Sequence, residues 1–196
     1  MDALTKAQLL QRGLRLEYLT LGWNVVGVVV VLFAAFAARS VALAGFGLDS
    51  LIEIFASVVV VWQLNDADET RERRALRLMG AAFFALAIYV LVQSTYVLAV
   101  KVHPNPSPAG IAWLALTVVA MLALAYGKRD AGAKLENVVL ATEARVTLID
   151  AILAFAVLLG LVSNATLGWW WADPLAGLLI VYYGLREGIH AWAEGA

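Results

Sequence analysis

The sequence predicts an all-α polytopic membrane protein, a bundle of six transmembrane helices, and three observations carry the fold class. Hydrophobic residues make up 63% of the 196, charged residues only 15%, and the mean hydropathy is +0.83, more apolar surface than a water-soluble domain of this size can bury. Six segments reach the roughly twenty apolar residues needed to cross about 30 Å of hydrocarbon. The basic residues gather on alternate breaks between these segments, the asymmetry that orients a membrane protein.

Residues 1–16 come first, and no small-residue cleavage site follows a short apolar core there, so they are not a secretory signal. Leu4, Leu9, Leu10 and Leu14 beside Lys6, Arg12 and Arg15 predict a short amphipathic helix lying on the membrane surface. The transmembrane domain then occupies residues 17–196, with spans at about 17–38, 41–64, 77–100, 110–127, 137–163 and 169–192. The fourth is short, and GKRDAGAKLEN reads as the loop that joins it to the fifth. Lys6, Arg12 and Arg15, then Arg71, Arg73, Arg74 and Arg77, then Lys128, Arg129 and Lys134, and finally Arg186 fall on one side. Arg39 and Lys101 fall on the other, which predicts that both termini are cytoplasmic. The external breaks are Arg39 to Ser40, KVHPNPSPAG, and SNATLG before Trp169, Trp170 and Trp171, a run that reads as an interfacial aromatic belt.

Several function classes drop out early. There are no cysteines, so neither disulfides nor thiolate metal sites are available. A formal net charge of −1 argues against a nucleic-acid partner. No HExxH, no GxSxG and no nucleophile beside a base points to an enzyme.

The carboxylates point elsewhere. VALAGFGLDSLIEIFASVVVVWQL places Asp49 and Glu53 four residues apart on one helix face, and LATEARVTLIDAILAFAVLLGL places Glu143 and Asp150 two turns apart on another. Each carboxylate at mid-membrane costs roughly 2.5–3.5 kcal/mol on insertion scales, so four together need compensation and suggest a cation pathway. The two spans run in opposite directions. With Asp49 and Asp150 at one level, Glu53 lies about 6 Å towards the cytoplasm and faces the turn between Glu143 and Val146. Thr147 is one turn from both Glu143 and Asp150, and its hydroxyl can coordinate or hydrogen-bond.

SVALAGFGLDSLIE resembles the second helix of the cation diffusion facilitator family, with Asp49 and Glu53 in the ligand positions, and DAILAFAVLLGL resembles that family's fifth helix from Asp150 onward. WADPLAGLLIVYYGLREG resembles the sixth helix, and Asn24 in LGWNVVGVVVV the polar position of the first. The resemblance implies six helices, a midplane site for a divalent ion on the second and fifth, a homodimer and export from the cytoplasm. The histidine that the family carries on the fifth helix falls on Val146. Glu143, about 10 Å from Asp150 along the helix, either takes over that ligand or guards the inner entrance. Members usually continue into a cytoplasmic metal-binding domain, so a chain stopping at Ala196 resembles a transmembrane-only subtype known in bacteria, which implies a bacterial inner membrane.

The expectation is therefore a proton-coupled antiporter with the divalent ion as substrate, protons as counter-ion and no prosthetic group. Carboxylates gathered in a dry site need either protons or a cation to neutralise them. Oxygen-only ligands favour harder ions such as Mn²⁺ or Mg²⁺, whereas the family resemblance implies Zn²⁺; Zn²⁺ and Mn²⁺ rank nearly level. The rival is a non-transporting scaffold or partner subunit that keeps the fold, for which Val146 is the best argument.

Overall fold

The computed structural model describes residues 3–64 and 69–195. Its elements are α1 (Ala3–Ala38), α2 (Val41–Leu64), α3 (Glu69–Val100), α4 (Pro108–Leu135), α5 (Val138–Leu167) and α6 (Ala172–Glu194), with no strand among the described residues. Windows in α1, α3, α4 and α5 are by themselves long and apolar enough to cross a membrane. The helix α2 packs against α1, α3, α5 and α6, and so occupies the middle of the bundle. An even number of crossings returns the chain to the end where it began, and Lys6, Arg12, Arg15, Arg73, Arg74, Arg77, Arg129, Lys134 and Arg186 are exposed around that end. The side chains of Leu4 and Arg71, both invoked above, lie outside the described residues.

Two predicted boundaries move. The segment 1–16 is continuous with the first span, since α1 runs unbroken from Ala3 to Ala38. Its buried stripe continues at helical spacing through Gly13, Glu17, Thr20, Asn24, Gly27, Val31 and Ala35. Gly13 lies against Leu140 of α5, and Gly127 of α4 lies against Leu16, so the helix meets its neighbours at these two positions. The predicted loop GKRDAGAKLEN is mostly helix. The fourth span continues to Leu135, its last carbonyls answered at Glu136 in the left-handed region, and only Glu136 and Asn137 connect it to α5. Lys128, counted above among the loop cations, is therefore inside the bundle and fully buried.

The core has two halves. Around Val31, Leu43, Phe46, Val90, Leu161 and Ile180 it is apolar. Towards the end that holds the termini, the same inward stripes carry Glu17, Thr20, Asn24, Glu53, Ser57, Lys128, Glu143 and Thr147, all buried. Between its two ends the outside is largely apolar, with Phe33 and Phe36 76% and 88% exposed, the inverse of a water-soluble surface and fit for lipid. Helices α3 and α6 approach through glycines: a Cβ on Gly80 would meet the Gly188 carbonyl at 3.0 Å, the close packing that small residues allow between membrane helices.

One carboxylate is structural. Asp173, fully buried in the first turn of α6, accepts from the Val41 N–H at 3.0 Å, from the Ala42 N–H at 3.4 Å and from the Ser40 hydroxyl. It thereby answers the open N–H groups at the start of α2 and fixes the height of that helix against α6. Asp173→Ala is expected to lower stability by about 1.5–3 kcal/mol, since hydrogen bonds to a charged group are lost and buried donors left open. Thermal unfolding in detergent measures this, and Asp173→Asn, which keeps one acceptor, should recover part of the loss.

Candidate metal centre

The α2 sequence FGLDSLIE winds Asp49 and Glu53 onto one face, and Ser50 turns its hydroxyl back to the Phe46 carbonyl at 3.1 Å rather than into the same space. From α5, Val146, Ile149, Asp150 and Leu153 face them; α6 adds Tyr183, Gly184 and Glu187, and α3 adds Phe83. These side chains enclose a narrow cavity of about 10 Å³, room for one water-sized sphere. Asp49 and Glu53 are each 5% exposed and Asp150 1%. The Asn24 amide of α1 donates to Glu53 Oε2 at 2.8 Å and holds that carboxylate in place.

Asp150 is the anomaly in this cavity. Both of its carboxylate oxygens are buried without a hydrogen-bond partner, an arrangement that folded proteins avoid and that, where it occurs, calls for an explanation. Among the described residues, no three His, Asp or Glu side chains are already drawn together tightly enough to hold a metal ion. The cavity brings oxygen donors to one place, and an ion there would have to pull them inward.

The fourth expected carboxylate is engaged elsewhere. The Lys128 ammonium donates to Glu17 Oε2 at 3.0 Å, to Glu143 Oε1 at 3.3 Å and to Thr147 Oγ1 at 3.0 Å. Thr147 in turn donates to the Glu143 carbonyl one turn back at 3.0 Å. The structure thus gathers Asp49, Glu53 and Asp150 into one cavity with Asn24 behind Glu53, and it places Glu143 and Thr147 in an adjoining charged cluster. Glu53 remains within electrostatic reach of Glu143 as well as of Asp49 and Asp150. Arg145, next but one to Glu143, faces outward.

Sequence reasoning missed Glu17, Lys128, Glu187 and Tyr183. Glu17 carried a usable signal, since it stands seven residues before Asn24 and hence on the same face of α1. Lys128 likewise stands seven after the buried Met121. Glu187 stands three after Gly184, on the inward stripe of α6.

Comparison with known proteins follows the same lines. Residues 77–195 match the family described as the cation efflux transmembrane domain. Transmembrane protein 163 of Xenopus laevis is 25% identical over 186 residues, which cover 88% of this chain and 66% of that protein. The chain thus spans slightly less than two thirds of the length of this curated relative.

With no ion bound, Asp150 must either bear an unpartnered charge or hold a proton that the unfolded chain releases, so a neutral amide in its place should relieve the fold. Asp150→Asn in divalent-free detergent is expected to raise the Tm, by about 2–4 °C for each kcal/mol relieved. A lowered Tm would show that Asp150 has a structural partner.

Proposed function

The chain belongs to the cation efflux family, and on that premise we propose that it is a proton-coupled divalent-cation transporter whose ion binds between α2 and α5 at Asp49, Glu53 and Asp150. Asp150 carries the reading. A carboxylate with two unpartnered oxygens, facing two further carboxylates across a cavity in the middle of a membrane bundle, is costly as structure and useful as a ligand. Filling the pocket with a divalent ion neutralises these carboxylates, and emptying it leaves protons to do so, which couples ion movement to proton movement in the opposite direction. Tyr183 and Glu187 bring α6 to the same cavity, so rocking of α6 against α2 and α5 would alter access to it.

The donor set is oxygen only, which suits Mn²⁺, while zinc sites usually recruit imidazole or thiolate. We hold Zn²⁺ and Mn²⁺ level as substrates, and export from the cytoplasm as the direction. A basic girdle at the end that holds the termini supports a cytoplasmic position for both, and assembly as a homodimer belongs to the same proposal. The scaffold reading draws its support from Val146, an alkyl group lining the cavity where the family's histidine is expected.

Proteoliposomes carrying a pH-sensitive dye separate the two readings. The unaltered chain should move protons when Mn²⁺ or Zn²⁺ is added on one side, and Asp49→Ala should abolish this flux while inserting normally; Glu53→Asp, with the charge kept and the reach shortened, should be milder. Metal-driven flux that persists in Asp49→Ala sinks the site assignment, and no flux from the unaltered chain favours the scaffold.

Val146 lines the pocket, so an imidazole there would reach it. Val146→His is expected to shift preference towards Zn²⁺ over Mn²⁺, read by competition between the two ions in the same vesicles. An unchanged preference would place the bound ion away from this wall.

A further inference from the structure

The cluster around Lys128 has the geometry of an occupied cation site. Its ammonium has Glu17 Oε2, Glu143 Oε1 and Thr147 Oγ1 around it at 3.0, 3.3 and 3.0 Å. These oxygens come from α1 and α5, while the cation comes from α4. Lys128 and Glu17 are fully buried, and Glu17 Oε1 has no partner at all. Two carboxylates thus face one ammonium, with acceptor capacity to spare.

We propose that the Lys128 ammonium is a tethered cation filling a second cation nest built by Glu17, Glu143 and Thr147, and that by filling it Lys128 reserves the divalent ion for the pocket of Asp49, Glu53 and Asp150. The reservation rests on the transport reading above; the nest itself rests on the geometry. Oxygens at 3.0–3.3 Å from a common centre need to close by about 1 Å to reach the 2.0–2.6 Å at which hard divalent ions bind, a shift within reach of side-chain torsions. The charge also matches, since two carboxylates suit one divalent ion as well as they suit an ammonium and a proton. Without Lys128 the chain would offer a diffusing ion two neighbouring sites, one of which adjoins the pocket through Val146, a single turn beyond Glu143. A compact ammonium on a flexible stem can fill such a nest but cannot leave it. Lys128 is on this account a positioning residue that sets how many ions the chain holds and keeps Glu143 out of the pocket.

Mn²⁺ titration of the full chain in detergent, by calorimetry with metal content as a second readout, tests this on an Asp150→Asn background in which the pocket is disabled. Asp150→Asn alone is expected to bind no Mn²⁺. Adding Lys128→Gln should create a site that holds one Mn²⁺ per chain, and adding Lys128→Arg, which keeps a cation in the nest, should create none. A Lys128→Gln double variant that elutes and melts as a folded protein and binds no Mn²⁺ overturns the proposal. If Lys128→Gln and Lys128→Met both fail to fold while Lys128→Arg folds, Lys128 is a structural counter-ion only, and the proposal falls. Retention of one Mn²⁺ by Asp150→Asn itself would count against the pocket and not against the nest, which would then be judged by whether Lys128→Gln adds one more.

Discussion

A negative charge removed from water must be neutralised where it stands, and the inner half of this bundle is arranged around that requirement. Each buried carboxylate costs roughly 2.5–3.5 kcal/mol to bring into hydrocarbon, and this chain answers the cost in three ways. Asp173 is answered by backbone and hydroxyl donors at the start of α2. Glu17 and Glu143 are answered by Lys128. Asp49, Glu53 and Asp150 share a cavity in which the Asn24 amide reaches Glu53 and no hydrogen-bond donor reaches Asp150. The first solution is complete within the protein; the second sets one ammonium against two carboxylates and leaves Glu17 Oε1 without a partner, and the third leaves both oxygens of Asp150 so, which is why function is sought there.

The apolar half of the bundle makes this arrangement possible. Val31, Phe46, Val90 and Ile180 are packed to near-zero exposure, and the glycine contact of α3 with α6 sets the distance between those two helices. Since packing between membrane helices gains little from solvent exclusion, it depends on such shape complementarity and on a few polar ties. Asp173 pins α2 to α6 at one end, while Arg12 of α1, on Asp130 of α4 at 3.0 Å, ties those two helices at the other, and Lys134 reaches the same carboxylate from one turn along α4 at 2.9 Å. These surface pairs are partly exposed and contribute modestly, so the buried Lys128 cluster is the principal polar tie among α1, α4 and α5.

What was legible in the sequence follows from contrast. Asp49, Glu53 and Asp150 stand out because their neighbours are aliphatic, and the helical period alone puts the first two on one face; the opposite run of α2 and α5 then brings Asp150 to them. Lys128 was illegible for the opposite reason. It is followed by Arg129 and Asp130, which are solvated, and a basic residue at the edge of a span reads as the end of the membrane. Only the stripe of buried residues on α4 reveals that the helix continues and turns this lysine inward. The segment 1–16 was legible only in part: its amphipathic pattern gives no sign that the helix runs on into the first span, with Gly13 against Leu140 and Leu16 against Gly127. Periodicity shows that a face is buried and leaves open what buries it.

The same logic bears on the missing histidine. An imidazole at position 146 would give the pocket a neutral donor, and the valine gives it none, so Glu143 is the nearest residue that could take over. Yet Glu143 is held by Lys128, and freeing it would leave a buried ammonium with Glu17 and Thr147 alone. Breaking a buried ion pair by withdrawing one partner costs about 3–5 kcal/mol, more than a single added ligand recovers unless the ion arrives with strong charge. The protein has therefore kept three carboxylates for the pocket and assigned the fourth to its own cation. On the transport reading proposed above, the valine at 146 and the lysine at 128 therefore act in the same direction, since both leave the pocket to the carboxylates of Asp49, Glu53 and Asp150.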